Sequence, residues 1–443
     1  MSNGINIFWL RRDLRLSDNA GLYHALRSRR PVVPIFIFDS NILDKLEDKD
    51  DARVTFIHNA LQEINEELEN YDSALQVYHG DPVKVWAKLV KEYDIKSVFT
   101  NHDFESYAIS RDTSVKELLD GKKINLKTYK DHVIMELEEV TKDDGLPYTV
   151  FTPYKRKWIE KVSEGGDDLT KSYYLKSYPT LKYATNFKTG LKQKMLSLND
   201  IGFEESDIPF PSKQASQKLI KAYGEQRNYP AIDGTSRLGV HFRFGTISIR
   251  EKARKAIKLS DVFLSELIWR DFYAQILANF PHVEENAFRA KYEKVEWRNN
   301  EEEFDLWCKG MTGYPMVDAG MRELNNTGYM HNRVRRVVAS FLTKHLLIDW
   351  RWGEAYFARR LLDFDLSSNN GGWQWASGSG TDAAPYFRIF NPTSQLKKFD
   401  KDLIYTKKWV PEYGTPDYPD PIVDHKMARE RCLNAYKEAL NNA

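Results

Sequence analysis

The chain has 443 residues, 42% hydrophobic and 13% aromatic, which is long enough for two packed cores and too apolar for a disordered polymer. Its 65 basic and 64 acidic side chains leave a net charge of +1, so whole-molecule steering toward a polyanion is excluded and any nucleic-acid partner must be held by a local patch. Cys308 and Cys432, the two cysteines, exclude a disulfide framework and any four-cysteine metal site, and no run has the length and apolarity of a membrane span. The start, MSNGINIFWLRRDLRL, lacks the apolar segment of a secretory signal, and the cytoplasm is the expected compartment.

Ile5 to Leu10, INIFWL, is an apolar run without helical period, which predicts a buried strand. PVVPIFIFD, SALQVYHG, KSVFTNHD and INLKTYKDHVI share that character, and amphipathic stretches such as Asp51 to Leu68 and Pro82 to Tyr93 lie between them. The alternation predicts a parallel-sheet α/β domain over 1–135. No GxGxxG follows the first strand, so an ordinary dinucleotide fingerprint is missing. A small ligand in this half belongs at the carboxyl ends of the strands, near Arg11, Asp39, Asp103 and Glu105, with solvated strand-end charges as the competing reading.

Residues 136–212 turn to Lys, Ser, Tyr, Gly and Asp, with PYTVFTPYKRKW, GGDD and DIPFPS as breakers, and are expected to form an inter-domain linker. From 213 to 443 the period becomes helical, as in SQKLIKAYGEQRN, DVFLSELIWRDFYAQILANF and NRVRRVVASFLTKHLL, which predicts an all-helical second domain.

The helical half holds most of the chemistry. In DGTSRLGVHFRFGTIS, Thr235, Ser236 and Arg237 follow a glycine and precede a helical stretch, offering the hydroxyls, N–H groups and guanidinium that suit a phosphate. A ligand-free capping box is the competing reading there. Glu266 and Trp269 are three apart and so share a helical face, where a carboxylate beside an indole suits a base-like substrate. Asn332, Arg335 and Arg336 lie within about a turn of each other; a buried Arg335 requires an anionic mate, for which Asp363 is the candidate. In SSNNGGWQWASGSGTDAAPYFRIFN, Ser367 to Asn391, glycines, paired amides and two indoles suit close approach to a flat ligand. Gly371 and Gly372 are expected to let the backbone near it, while Asn369 and Asn370 offer donors and acceptors.

The ordered segments FWLRRDLRLSDN, DGTSRL, ELIWRDFY, TGYPMVDAGMRELNNTGYMHNRVR and NNGGWQWASGSGTDAAPYFRIFNPTSQ resemble the photolyase/cryptochrome flavoproteins over nearly the whole chain, most closely the class I cyclobutane pyrimidine dimer photolyases. The resemblance implies a Rossmann-like α/β antenna domain and a helical domain that holds FAD non-covalently. It implies light-driven electron transfer from reduced FAD to a pyrimidine dimer flipped out of DNA, by a monomer.

Position by position, it assigns Tyr223, Thr235, Ser236, Arg237 and Leu238 to flavin binding, with Arg335, Asp363 and Asp365 around the ring system and Asn369 facing its N5. Trp373, Trp350 and Trp297 match the electron chain that re-reduces the flavin. Glu266, Trp269, Asn332 and Trp375 match positions that cradle the lesion, Asn332 also bordering the flavin. Arg227, Arg333, Arg388, Lys397 and Lys398 stand where phosphates would be held.

Two departures stand out. Arg336 occupies a position where class I repair enzymes usually carry methionine, beside flavin and lesion. FPHVEENAFRAKYEKVEW lacks the lysine and cysteine that contact folate in folate-binding members, leaving a second, antenna chromophore of open identity. A cryptochrome-type photoreceptor that uses the same flavin and tryptophans is the alternative function.

Overall fold

The computed structural model describes residues 4–164, 166–192 and 194–441. Two compact units interleave along the chain: Met1–Glu136, Ile159–Lys213 and Leu238–Lys258 form the first, and Leu137–Trp158, Gln214–Arg237 and Leu259–Ala443 the second.

The first unit is built on five parallel strands, β1 (Ile5–Leu10), β2 (Val32–Asp39), β3 (Gln76–Gly80), β4 (Ile95–Asn101) and β5 (Asn125–Tyr129), ordered β3-β2-β1-β4-β5. Every residue of β1 and β2 is buried, which is why both read as unbroken apolar runs rather than alternating ones. Ile7, Trp9, Val33, Ile35, Trp86 and Val98 belong to one core cluster of this unit. The helices Ala20–Arg27, Ala52–Glu69 and Pro82–Glu92 are started by Asn19, Asp51 and Asp81, whose side chains accept from backbone N–H groups of the first turn. Strand order reverses at β1, so the tips of β1 and β4 bring Arg11, Arg12 and Asp103 together.

The stretch expected as a linker contains the helix Phe151–Ser163 and several short 3-10 turns, and it divides between the units at residue 158. Tyr154 and Trp158, four residues apart, are fully buried, and the Trp158 indole donates to Asp271 at 3.1 Å. Lysines and arginines on the same helix outweigh these two rings in composition, so the amphipathic spacing passes as a charged connection.

The second unit is helical. Its main apolar cluster includes Trp307, Met316, Val338, Phe341, Trp350 and Trp373. The helix Asn332–Ser340 runs into a π-helical turn, Phe341–Leu346, which ends at Leu347 with φ +53°. That turn buries Lys344, whose ammonium donates to the Ser377 carbonyl at 2.6 Å and so caps the C-terminus of the helix Leu366–Ser377. Burial lowers the Lys344 pKa to about 8. Among the described residues no helix is long and apolar enough to cross a membrane.

Candidate functional site

Ser367 to Ser377 forms most of a helix, Leu366–Ser377, with Asp365 as its N-cap accepting from the Ser368 N–H at 3.1 Å. Glycine is a poor helix former, and the reason for Gly371 is packing. A methyl group there would overlap the ring of Tyr273, so this glycine lets the helix approach a tyrosine rather than a ligand. Gly372 has open space around its Cα and lines a cleft. The expectation for the pair is therefore corrected for Gly371.

That cleft, about 130 Å³ in volume, is bounded by Arg335, Arg336, Asp363, Asp365, Asn369 and Trp373 among others. Three helices and the loop 361–365 supply its wall. Arg335 and Arg336 come from Asn332–Ser340, Phe357 from Trp350–Arg360, and Asn369 and Trp373 from Leu366–Ser377. Arg335 donates through one nitrogen to both Asp363 oxygens, at 3.0 and 2.9 Å, and through Nε to the Met330 carbonyl at 2.7 Å. Burial disfavours that guanidinium, yet Asp363 more than compensates and raises its pKa. Asn369 Nδ2 donates to the carbonyl and side chain of Glu354. Trp373 is 2% exposed and packs edge-on to Phe357 at 5.0 Å and Trp307 at 6.1 Å.

A second group lies along Tyr329. The Thr235 hydroxyl and the Tyr329 hydroxyl are 2.9 Å apart, and the Arg237 and Arg335 guanidiniums lie 4.9 and 5.8 Å from the Tyr329 ring centre. Tyr329 thus ties the Thr235–Arg237 segment to the Arg335–Asp363 pair. Arg237 sits at φ +50°. Leu238, buried, N-caps the short helix Gly239–Arg243 without a side-chain cap bond and falls in the other compact unit.

The lesion-side candidates form a third group. Glu266 pairs with Arg227, whose guanidinium also lies 5.2 Å from the ring centre of buried Tyr223. Trp269 is half-buried, with one face stacked on Phe151 at 3.7 Å and 7°. The Arg336 guanidinium sits 5.1 Å from the Trp375 ring centre. Arg333 donates to Asn228 at 2.7 Å and lies 4.4 Å from the Phe399 ring centre. Burial and the nearby charges of Arg336, Arg227 and Arg388 push its pKa down to about 10. Asn332 Oδ1 is buried without a partner among the described residues. Arg388, Lys397 and Lys398 are exposed.

Trp350 is buried in the same apolar cluster as Trp373, and Trp297 packs on the margin of that cluster with its ring edge-on to Tyr436 at 6.0 Å. Phe151, Tyr329, Glu354 and Trp307 escaped the sequence reading. They are single residues far in sequence from the groups they touch, and spacing carries no signal for such contacts.

At the strand ends of the first unit the charges are mutually paired. Arg12 reaches Asp103 at 3.0 Å and Glu105 at 2.7 Å, Arg11 pairs with Asp112, and Tyr107 donates to Asp39 at 2.6 Å. Arg12 also lies 2.8 Å from the His132 ring nitrogen.

Residues 6–172 match the DNA photolyase family, and residues 263–416 match the FAD binding domain of DNA photolyase. A deoxyribodipyrimidine photo-lyase of Halobacterium salinarum is 36% identical, with 98% of this chain and 99% of that protein aligned. The chain belongs to the DNA photolyase family. Among solved structures, a bacterial class III photolyase from Agrobacterium tumefaciens superposes with a TM-score of 0.84 at 31% identity, covering 100% of this chain and 98% of that one. A cryptochrome from Synechocystis sp. PCC6803 reaches the same TM-score at 25% identity, covering 97% and 99%. The fold is therefore common to a photolyase and a cryptochrome.

The FAD-binding segment of this photolyase-family chain contains the whole cleft. Its donor set fits the cofactor. A charge-paired guanidinium, carboxylates and an amide bound a cleft with an indole in its wall, which suits a flat ring system edged with alternating donors and acceptors.

Proposed function

We propose that this protein binds DNA carrying a cyclobutane pyrimidine dimer and splits the dimer under blue or near-ultraviolet light, in the cleft between Arg335 and Trp373. Bound FAD supplies the light-absorbing electron donor. The reaction is redox-neutral overall: two carbon–carbon bonds of the cyclobutane ring break, two pyrimidines are restored, and no net electron or proton is consumed. The observation that carries this reading is the junction of two chemistries on one helix. Leu366–Ser377 presents Asn369 and Trp373 to the cleft and carries Trp375 beneath the Arg336 guanidinium.

In this reading the Arg335–Asp363 pair and Asn369 would hold the cofactor's polar edge, while Thr235, Ser236 and Arg237 would hold its phosphates, backed by Tyr223. Asp365 holds the N-terminus of the central helix in place. Glu266, oriented by its ion pair with Arg227, accepts hydrogen bonds from the dimer. Phe151 braces one face of Trp269 and leaves the other for the splayed bases, opposite Trp375. Asn332 offers its unpartnered oxygen at the same boundary. Arg333, Arg388 and Lys397 hold backbone phosphates, so binding weakens with salt. The lesion stacks poorly in its duplex, which lowers the cost of flipping and supplies part of the selectivity. Trp373, Trp350 and Trp297 would supply electrons for re-reduction of bound FAD and would take no part in splitting. The working form is a cytoplasmic monomer.

The test is restoration of thymines in an oligonucleotide containing one thymine dimer, by holoenzyme reduced chemically beforehand, with and without blue light. Light-dependent restoration is expected. Its absence from protein with fully reduced FAD overturns the repair reading in favour of a photoreceptor.

A further inference from the structure

Arg336 stands on the cleft wall with Asn369, Asp363 and Gly372, and its guanidinium lies over the Trp375 ring. It is exposed, and no ion pair joins it to a carboxylate among the described residues, although two aspartates line the same cleft. Its charge reaches Arg333, whose Nε is buried without a hydrogen-bond partner. Arg388 acts on Arg333 in the same sense, and neither of these two has a carboxylate partner among the described residues either. Arg336 and Arg388 thus both bear on Arg333, while Glu266 is taken by Arg227. Like charges oppose one another unless an anion arrives to share them, and a phosphodiester matches the guanidinium fork.

We propose that Arg336 is a specificity-determining residue that grips the phosphodiester joining the two halves of the lesion, with Trp375 as its rest and Arg333 as its companion. The proposal rests on the repair reading above. The phosphate of a flipped lesion enters the cleft mouth with its bases, whereas the phosphates of undamaged duplex stay outside. A cation at this position therefore favours damaged over undamaged DNA. The stacked indole holds the planar guanidinium ready, so a lysine point charge replaces it only in part.

The experiment uses reduced holoenzyme in the dark and two synthetic ligands, a thymine dimer joined by its natural phosphodiester and the same dimer joined by an uncharged formacetal linker. Wild-type protein is expected to bind the phosphodiester form roughly tenfold more tightly. Arg336→Met abolishes that ratio, and Arg336→Lys keeps part of it. With a dimer-containing duplex, Arg336→Met also makes the salt dependence of log Kd shallower by about one.

An unchanged ratio in Arg336→Met overturns the proposal, as does an equal loss for both ligands, which would mean a contact to the bases. Tighter binding by Arg336→Met also overturns it, because the arginine would then be an obstruction. Failure of the repair reading looks different, since wild-type protein would then restore no thymines in light.

Discussion

Asn369 Nδ2 donates to both the main-chain carbonyl and the carboxyl group of Glu354, at 3.1 and 2.8 Å. With its nitrogen engaged on Glu354, the amide is held in one orientation on the wall of the cleft it lines. Burial raises the Glu354 pKa and the bond from Asn369 draws it back, so each group holds the other in place. Glu354→Ala removes the side-chain half of this clamp and frees the amide to rotate. A hydrogen bond to a charged group contributes about 1.5–3 kcal/mol, so FAD affinity is expected to fall roughly tenfold or more. Titration of apoprotein with FAD checks this, and an unchanged Kd means that Asn369 is held by other groups.

Gly353 exists for Trp373. A methyl group at Gly353 would overlap the far edge of the indole and the Leu342 side chain. Gly353→Ala is expected to cost about 1–3 kcal/mol through overpacking, read as a lower urea midpoint. Trp373→Phe relieves the crowding and leaves a smaller ring that is harder to oxidise. It should slow photoreduction by at least about tenfold, while thymine restoration by chemically reduced protein stays near the wild-type rate. Loss of both activities together would refute a role confined to re-reduction.

His331 makes stability depend on pH. It caps the helix Asn332–Ser340 by accepting the Arg333 N–H at 3.2 Å, and burial together with the charges of Arg335, Arg333, Arg237 and Arg227 lowers its pKa from 6.5 to about 3. The folded state therefore resists a proton that the unfolded chain accepts. This contribution is fully present above pH 6.5 and is lost as pH falls toward 3, at up to about 1.4 kcal/mol per unit. His345 shifts in the same direction, also to about 3. His331→Asn keeps an N-cap acceptor without the titration. Its urea midpoint should fall less than that of the wild type between pH 6.5 and 5, and parallel losses would place the effect elsewhere.

The α/β sheet was legible because β1 and β2 are buried on both faces and cannot conceal their apolar runs. The Arg335–Asp363 pair was legible for a related reason, since a guanidinium placed inside a helical domain demands a carboxylate. The helix Leu366–Ser377 was hidden by its own glycines, one of which serves a tyrosine on a distant helix. Glu354 and Tyr329 were hidden because they complete the site across the fold, where no local period registers them. The helix Phe151–Ser163 shows the opposite masking, with two buried rings outvoted by exposed lysines.

Where cofactor and lesion sit relative to Leu366–Ser377 is the centre of the account. A crystal structure of the reduced holoenzyme with a dimer-containing oligonucleotide, prepared in the dark, measures it directly. The flavin ring is expected between the Arg335–Asp363 pair and Trp373, within hydrogen-bond reach of Asn369, and the flipped dimer against Trp269 and Trp375. A flavin bound outside this cleft, or a lesion left stacked in its duplex, would contradict it.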